Sequence, residues 1–313
     1  MAGGKEAEQS AGPAGKGGGS RPADGPAPPP HDAEAGLRSG GSSGSVSPSR
    51  STRPAQEGVA EPPALMRELG GVTAVWYREF KVFTRERSRV VSSLVSPLMW
   101  LFLFGTGVGS AVDIGGVDYR SYIYPGILAM AVLFGSVFFG LYIVWDRKLD
   151  VLKAVLVAPV SRISIFFGKV LGGCTDVIIQ ASVLLLLSFL FPSVNPWGIP
   201  LALLILLVTA IAMVSLGLAI GSLFESLEGF QVVSTFLVFP LFFLSGALFP
   251  VDERLPGWLL GAVRVNPLGY TVDGVRGALL GLNTLPVYLD LGAIALFALL
   301  MILLGSWLFS RMK

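Results

Sequence analysis

Residues 199–223 read IPLALLILLVTAIAMVSLGLAIGSL, 25 positions without a single charge. As a helix rising about 1.5 Å per residue, this stretch is about 37 Å long, enough to cross a hydrocarbon layer of about 30 Å. Five further runs have the same character, approximately Val90 to Val112, Tyr124 to Trp145, Val170 to Phe191, Phe230 to Phe249 and Val287 to Phe309. Pro97, Pro125, Gly217 and Pro240 fall inside them, which spans tolerate because neighbouring helices satisfy the freed backbone groups. The expected fold is an all-α membrane protein with six transmembrane helices over residues 90–313.

Composition agrees. Of the 313 residues 52% are hydrophobic and 14% charged, and the mean hydropathy is +0.68, above what ordinary soluble domains carry. A net charge of +2 gives no reason to invoke nucleic acid. The single cysteine, Cys174, excludes an internal disulfide and a multi-cysteine metal site, and reads as a packing residue. His31 is the only histidine, so histidine-based metal or triad chemistry has no raw material.

The apolar content is unevenly placed. Residues 1–64 are rich in Gly, Pro, Ser and Ala, as at Pro28 to Pro30 and Ser39 to Ser45, and have no apolar periodicity. Such a segment cannot bury enough to offset its ordering entropy, so a disordered cytoplasmic tail is expected. No apolar core of about 7 to 15 residues follows the first lysines, so it does not read as a secretory signal. Over residues 65–89 Leu65, Leu69, Val72, Trp76, Phe80 and Phe83 recur at helical spacing, with Arg78, Lys81 and Arg85 opposite. This predicts an amphipathic helix suited to the membrane interface and to contact with lipid.

Basic residues set the orientation. Arg78, Lys81, Arg85, Arg87 and Arg89 precede the first span; Arg147, Lys148, Lys153, Arg162 and Lys169 separate the second from the third; Arg311 and Lys313 follow the sixth. The alternate loops carry fewer, so both termini are expected in the cytoplasm of a multi-pass protein of the cytoplasmic membrane.

Two connections are long enough to have work of their own. WDRKLDVLKAVLVAPVSRISIFFGK, residues 145–169, carries a short stripe of Leu149, Leu152, Val155 and Leu156, broken at Pro159, with Ser161 placed to cap the next helix. It suits docking into a groove of a cytoplasmic partner, and equally a helix lying on the membrane surface. The second connection, residues 250–286, holds two apolar pieces, Leu255 to Arg264 and Leu268 to Gly281, separated by Asn266-Pro267. Each is too short to cross, as interfacial or re-entrant helices are. Asp273 and Arg276 stand at i,i+3, either neutralising charge at the membrane edge or forming a plain surface pair.

These two segments carry a resemblance. Asp146-Arg147-Lys148, then Leu156-Val157-Ala158-Pro159-Val160-Ser161-Arg162 and Gly168-Lys169, resemble the loop between the second and third spans of type 2 ABC exporter membrane subunits. Asn266-Pro267-Leu268 with Tyr270, Asp273 and Arg276 is similar to the outer motif before that family's last span. The group includes permeases of the daunorubicin-resistance, nodulation lipo-oligosaccharide and polysaccharide export kinds, and the resemblance covers roughly Arg67 to Lys313. It departs at Lys148, where an acid is common, and at Leu149-Asp150, where glycine is often found.

The resemblance implies a permease homodimer with two separate ATP-binding subunits, which would hold the ATP and magnesium. It implies docking through Arg78, Lys81, Asp146, Arg147, Lys148, Leu152, Leu156, Pro159, Ser161 and Arg162. It also implies efflux of an amphiphilic drug, lipid or glycan, as in antibiotic resistance or polysaccharide export. The sequence has no G-x-x-x-x-G-K-[ST] loop, so no catalytic residue for ATP hydrolysis is expected here. An ion-coupled secondary transporter is the rival, and it calls for ionisable groups near mid-membrane. Asp176, with Gln180 one turn on, is the embedded acid of interest, readable as a substrate contact or as a polar clamp between helices.

Overall fold

The structure is a computed structural model that describes residues 63–107, 113–114, 117–149, 160–190, 193–251 and 256–312. Of the tail expected over 1–64, residues 1–62 lie outside the described residues, as do the loop residues Leu152, Leu156 and Pro159; Ala64 already opens the first helix.

Between its turns and loops the described chain is helical, apart from one two-residue antiparallel ladder, Asp113–Ile114 with Val117–Asp118. In order, α1 is Ala64–Arg85, α2 Arg87–Gly107, α3 Tyr119–Phe139, α4 Leu141–Lys148 and α5 Arg162–Leu186. Then come α6 Ile199–Leu223, α7 Leu227–Phe243, α8 Gly257–Val265, α9 Pro267–Leu280 and α10 Val287–Ser310. Five helical stretches are long and apolar enough to cross a membrane: Val90–Gly107, Tyr119–Lys148, Arg162–Leu190, Pro196–Leu223 and Val287–Ser310.

The charge-free helix α6 stands at the centre and packs on α3, α5, α9 and α10, which is why it is apolar on every side. Close approach is achieved with glycine. A side chain at Gly217 or Gly221 would meet the backbone of Val137 or Gly140, so α6 lies directly on the chain where α3 passes into α4. Gly168 and Gly172 of α5 likewise sit against Val75 and Glu79 of α1. Both pairs have the four-residue spacing that lets helices pack backbone to backbone in lipid.

Three element boundaries differ from expectation, each for a physical reason. The third span begins at Arg162 instead of Val170, because Ser161 caps it and the charge of Lys169 is neutralised inside the bundle. The second span begins at Tyr119 instead of Tyr124 and breaks at Gly140, where Gly217 and Gly221 press on the backbone. The fifth apolar run, expected to reach Phe249, yields a helix of only 17 residues ending at Phe243. It is followed by a turn through Gly246 at φ +72°. Ala247 and Leu248 in that turn are buried with Tyr119 and Tyr122, so the run is apolar because it is packed, although it is not helical.

Along α1, Val75, Glu79 and Phe83 form the buried stripe against α5, whereas Leu65, Met66 and Leu69 stay exposed. Trp76 Nε1 donates to Thr175 Oγ1 of α5 at 3.0 Å, fixing the two helices side by side.

Candidate functional site

An acid in the packed stripe of α1 needs a partner, and the structure supplies one. Lys169 of α5, only 1% exposed, donates to Glu79 Oε1 at 3.0 Å and to Asp146 Oδ2, on the last turn of α4, at 2.6 Å. Arg78 of α1 takes the other oxygen of Asp146 at 2.7 Å, with its second terminal nitrogen 4.0 Å from Glu79. Two cations and two anions from three helices therefore close a balanced network, and Glu79, Asp146 and Lys169 are all buried. Removing such ions from water costs several kcal/mol each, offset only while every partner stays in place. The more open side of the network, at Arg78, borders a cavity of about 600 Å³ that Phe138, Tyr142, Trp145 and Gln180 also line.

Around this network the polar residues of the 146–162 segment take up the free ends of other helices. Ser161 caps α5, its hydroxyl accepting from Ser164 N at 3.1 Å. Glu68 of α1 accepts from Ser161 N at 3.0 Å and from the Ser164 hydroxyl at 2.6 Å. The bonds from Ser164 and then Ser161 hold the Glu68 carboxyl below the ordinary glutamate range. Arg147 donates to Phe224 O at 3.2 Å and Ser222 O at 3.1 Å, where the last turn of α6 leaves carbonyls without helical partners. Arg162 does the same for α10, reaching Ser310 O at 3.2 Å and also Met312 O. A cation suits a helix C-terminus because the backbone dipoles make it partly negative. Five helices, α1, α4, α5, α6 and α10, are thus tied at one end by residues that flank a single loop.

Of the residues predicted for this region, the structure brings Arg78, Asp146, Arg147, Ser161 and Arg162 into that clasp. Lys81 and Lys148 are exposed instead, Lys81 lying 5.8 Å from the Tyr77 ring centre. Glu68, Glu79 and Lys169 escaped the sequence reading as site residues. The available signal was Glu79 at i+4 between Val75 and Phe83, and a lysine directly after Gly168 inside an apolar run.

At the other end of the bundle the second motif also ties elements together. Asn266 caps α9, accepting from Leu268 N at 3.0 Å, while its amide donates to Leu241 O of α7 at 2.7 Å. Proline at position 267 suits the first helical turn that follows. Tyr270 donates to Arg264 O at 2.7 Å, closing the end of α8. Asp273 and Arg276 turn to separate partners. Asp273 accepts from the backbone N–H groups of Thr284 and Leu285 at 2.9 Å, and Arg276 donates to Gly246 O at 3.0 Å with its guanidinium 4.0 Å from the Tyr122 ring centre. The turn that shortens α7 is what draws Arg276 away, since it presents a backbone carbonyl to it. Asp176 and Gln180 are both buried on α5; Gln180 lines the cavity beside Arg78 and a smaller one of about 240 Å³ with Trp100 and Phe134.

Comparison with known proteins follows these two motifs. The sequence profile of the family described as ABC-2 type transporter matches residues 71–280, two thirds of the chain. Nodulation protein J of Rhizobium meliloti (strain 1021) is 27% identical over 242 residues, 76% of this chain and 92% of its own. Nodulation protein J of Rhizobium leguminosarum bv. viciae is 26% identical over 260 residues, 81% of this chain and 98% of its own. Inner membrane transport permease YadH of Escherichia coli (strain K12) is 27% identical over 232 residues, 72% of this chain and 88% of its own.

Proposed function

The chain belongs to the ABC-2 type transporter family, and on that premise we propose that it is the membrane-spanning permease of an ATP-driven exporter. It is a multi-pass membrane transport protein and not itself an enzyme, and its family implies pairing with an ATP-binding subunit. The relative named as an inner membrane permease supports a place in the cytoplasmic membrane. The lysines and arginines beside the spans support cytoplasmic termini.

The clasp carries this reading. The exposed Lys81 and Lys148, with Leu152, Leu156 and Pro159 of the loop, receive a separate subunit that binds ATP and magnesium. Arg78, Asp146, Arg147, Ser161 and Arg162 hand the displacement of that loop to five helices together. A push on a loop attached to one helix would bend it; a push on a loop whose flanks hold five helix ends moves the bundle between two arrangements. Two permeases and two ATP-binding subunits make the working unit. Its cargo is an amphiphilic drug, lipid or glycan, and Gln180, with Asp176 one turn before it, borders the path. The outer motif from Asn266 to Arg276 holds α7, α8 and α9 as a cover at the far end.

Reconstitution tests the reading. In vesicles the chain alone moves no cargo under ATP or under an ion gradient, and gains ATP-dependent efflux once the ATP-binding subunit is added. Transport driven by a proton or sodium gradient with no second subunit would select the ion-coupled carrier instead.

A further inference from the structure

Asp290 on the first turn of α10 is fully buried at 0% exposed, and neither carboxylate oxygen has a hydrogen-bond partner. It lies in the seam between α6, α9 and α10. A side chain at Gly274 of α9 would come within 3.3 Å of Asp290 Cβ and 3.2 Å of Ile205 Cδ1, so glycine leaves the room that the acid occupies. Ionisable groups inside a membrane bundle are expensive and are retained for work. An ionised carboxylate with no donor is among the costliest.

Asp290 also lines a cavity of about 550 Å³ at the end of the bundle away from the clasp, a size suited to a small organic ligand. Among the described residues the other charged side chains of this lining point to contacts other than Asp290. Asp273 accepts from Thr284 N and Leu285 N, Arg276 lies over Tyr122 and donates to Gly246 O, and Arg264 is exposed to solvent. Among the described residues, therefore, no side-chain cation reaches the Asp290 carboxylate. Leu260, Val263 and Val251 make much of the remaining wall apolar. Among the described residues no three His, Cys, Asp or Glu side chains cluster to hold a metal ion. Arg276 Nε, also without a partner, offers a donor to an oxygen of the ligand.

We infer that this cavity binds an organic ammonium group carried on an apolar body, with Asp290 as its counter-ion. One orphan carboxylate matches one positive charge, and the walls match the apolar remainder. Binding here holds whatever energises the chain, so its failure and that of the exporter reading are separable.

The probe is dansylcadaverine, a primary amine on an apolar fluorophore, titrated into the purified full-length chain in dodecyl maltoside. N-acetyl dansylcadaverine is the control, having the same body without the charge. Dansylcadaverine should bind saturably and the acetylated form at least about tenfold more weakly, the scale of one charge-assisted contact. Asp290→Asn should cost the amine a similar factor while the ligand-free protein keeps its melting temperature. Val263→Trp fills the cavity from α8 without touching the helix seam, and should abolish binding even if Asp290→Asn folds poorly. Displacement by phosphatidylethanolamine but not by a soluble alkylamine assigns the site to a lipid head group, and the reverse assigns it to a free amine. Equal affinity for the acetylated probe, or undiminished binding in folded Asp290→Asn or Val263→Trp, overturns the inference.

Discussion

Lys169 carries one positive charge between two carboxylates that belong to different helices. Lys169→Met would leave Glu79 and Asp146 buried, with Arg78 alone to balance them. Breaking a buried network by removing one partner costs about 3–5 kcal/mol. Unfolding titrations in mixed micelles should show a loss of that size, and Lys169→Met with Glu79→Gln should recover part of it by lifting one stranded charge. A single variant within about 1 kcal/mol of wild type would mean that the network is solvated and holds nothing. Arg78 is replaceable at lower cost because a third of its side chain already meets solvent.

At the scale of helices, the α1–α5 contact depends on Gly168 and Gly172. A Cβ at Gly172 would stand 2.6 Å from Glu79 Cβ, so Gly172→Leu must displace α1. Overpacking of this kind costs about 1–3 kcal/mol. Hydrogen exchange over residues 64–85 should quicken by about tenfold or more while α6 keeps its protection; unchanged exchange in α1 would show that the contact is not tight. The helices themselves were legible from residue chemistry. The charge-free run 199–223 is α6 to the residue, and Val287 to Phe309 misses α10 by one position. What composition could not reveal was which polar residues turn inward. Arg147 and Arg162, expected to dock an ATP-binding subunit, show their inward bonds only once the ends of α6 and α10 stand beside them. Lys169 read as the edge of a loop because its two counter-ions lie 23 and 90 residues away. For the same reason Phe230 to Phe249 read as one span: hydropathy measures burial, and a packed turn is as apolar as a helix.

For the whole molecule, a bundle clasped at one end and capped at the other has its least covered apolar surface on α2, α7 and α10. Met99 and Phe102, Val232 and Phe236, and Leu299 and Leu303 are exposed along these three helices. They meet lipid tails or a second copy of the chain. Among them α7 is the exception in length, since 17 residues make a helix of about 26 Å against hydrocarbon of about 30 Å. Lipids bordering it would compress by several ångströms, at a fraction of a kcal/mol for each. Where lipid covers this helix, a dimple in the bilayer is the expected consequence, and it would give cargo its thinnest barrier. Transport in phosphatidylcholine vesicles should accordingly be fastest with short acyl chains and slow as they lengthen, and a rate indifferent to chain length would show that the neighbouring copy, not lipid, covers α7.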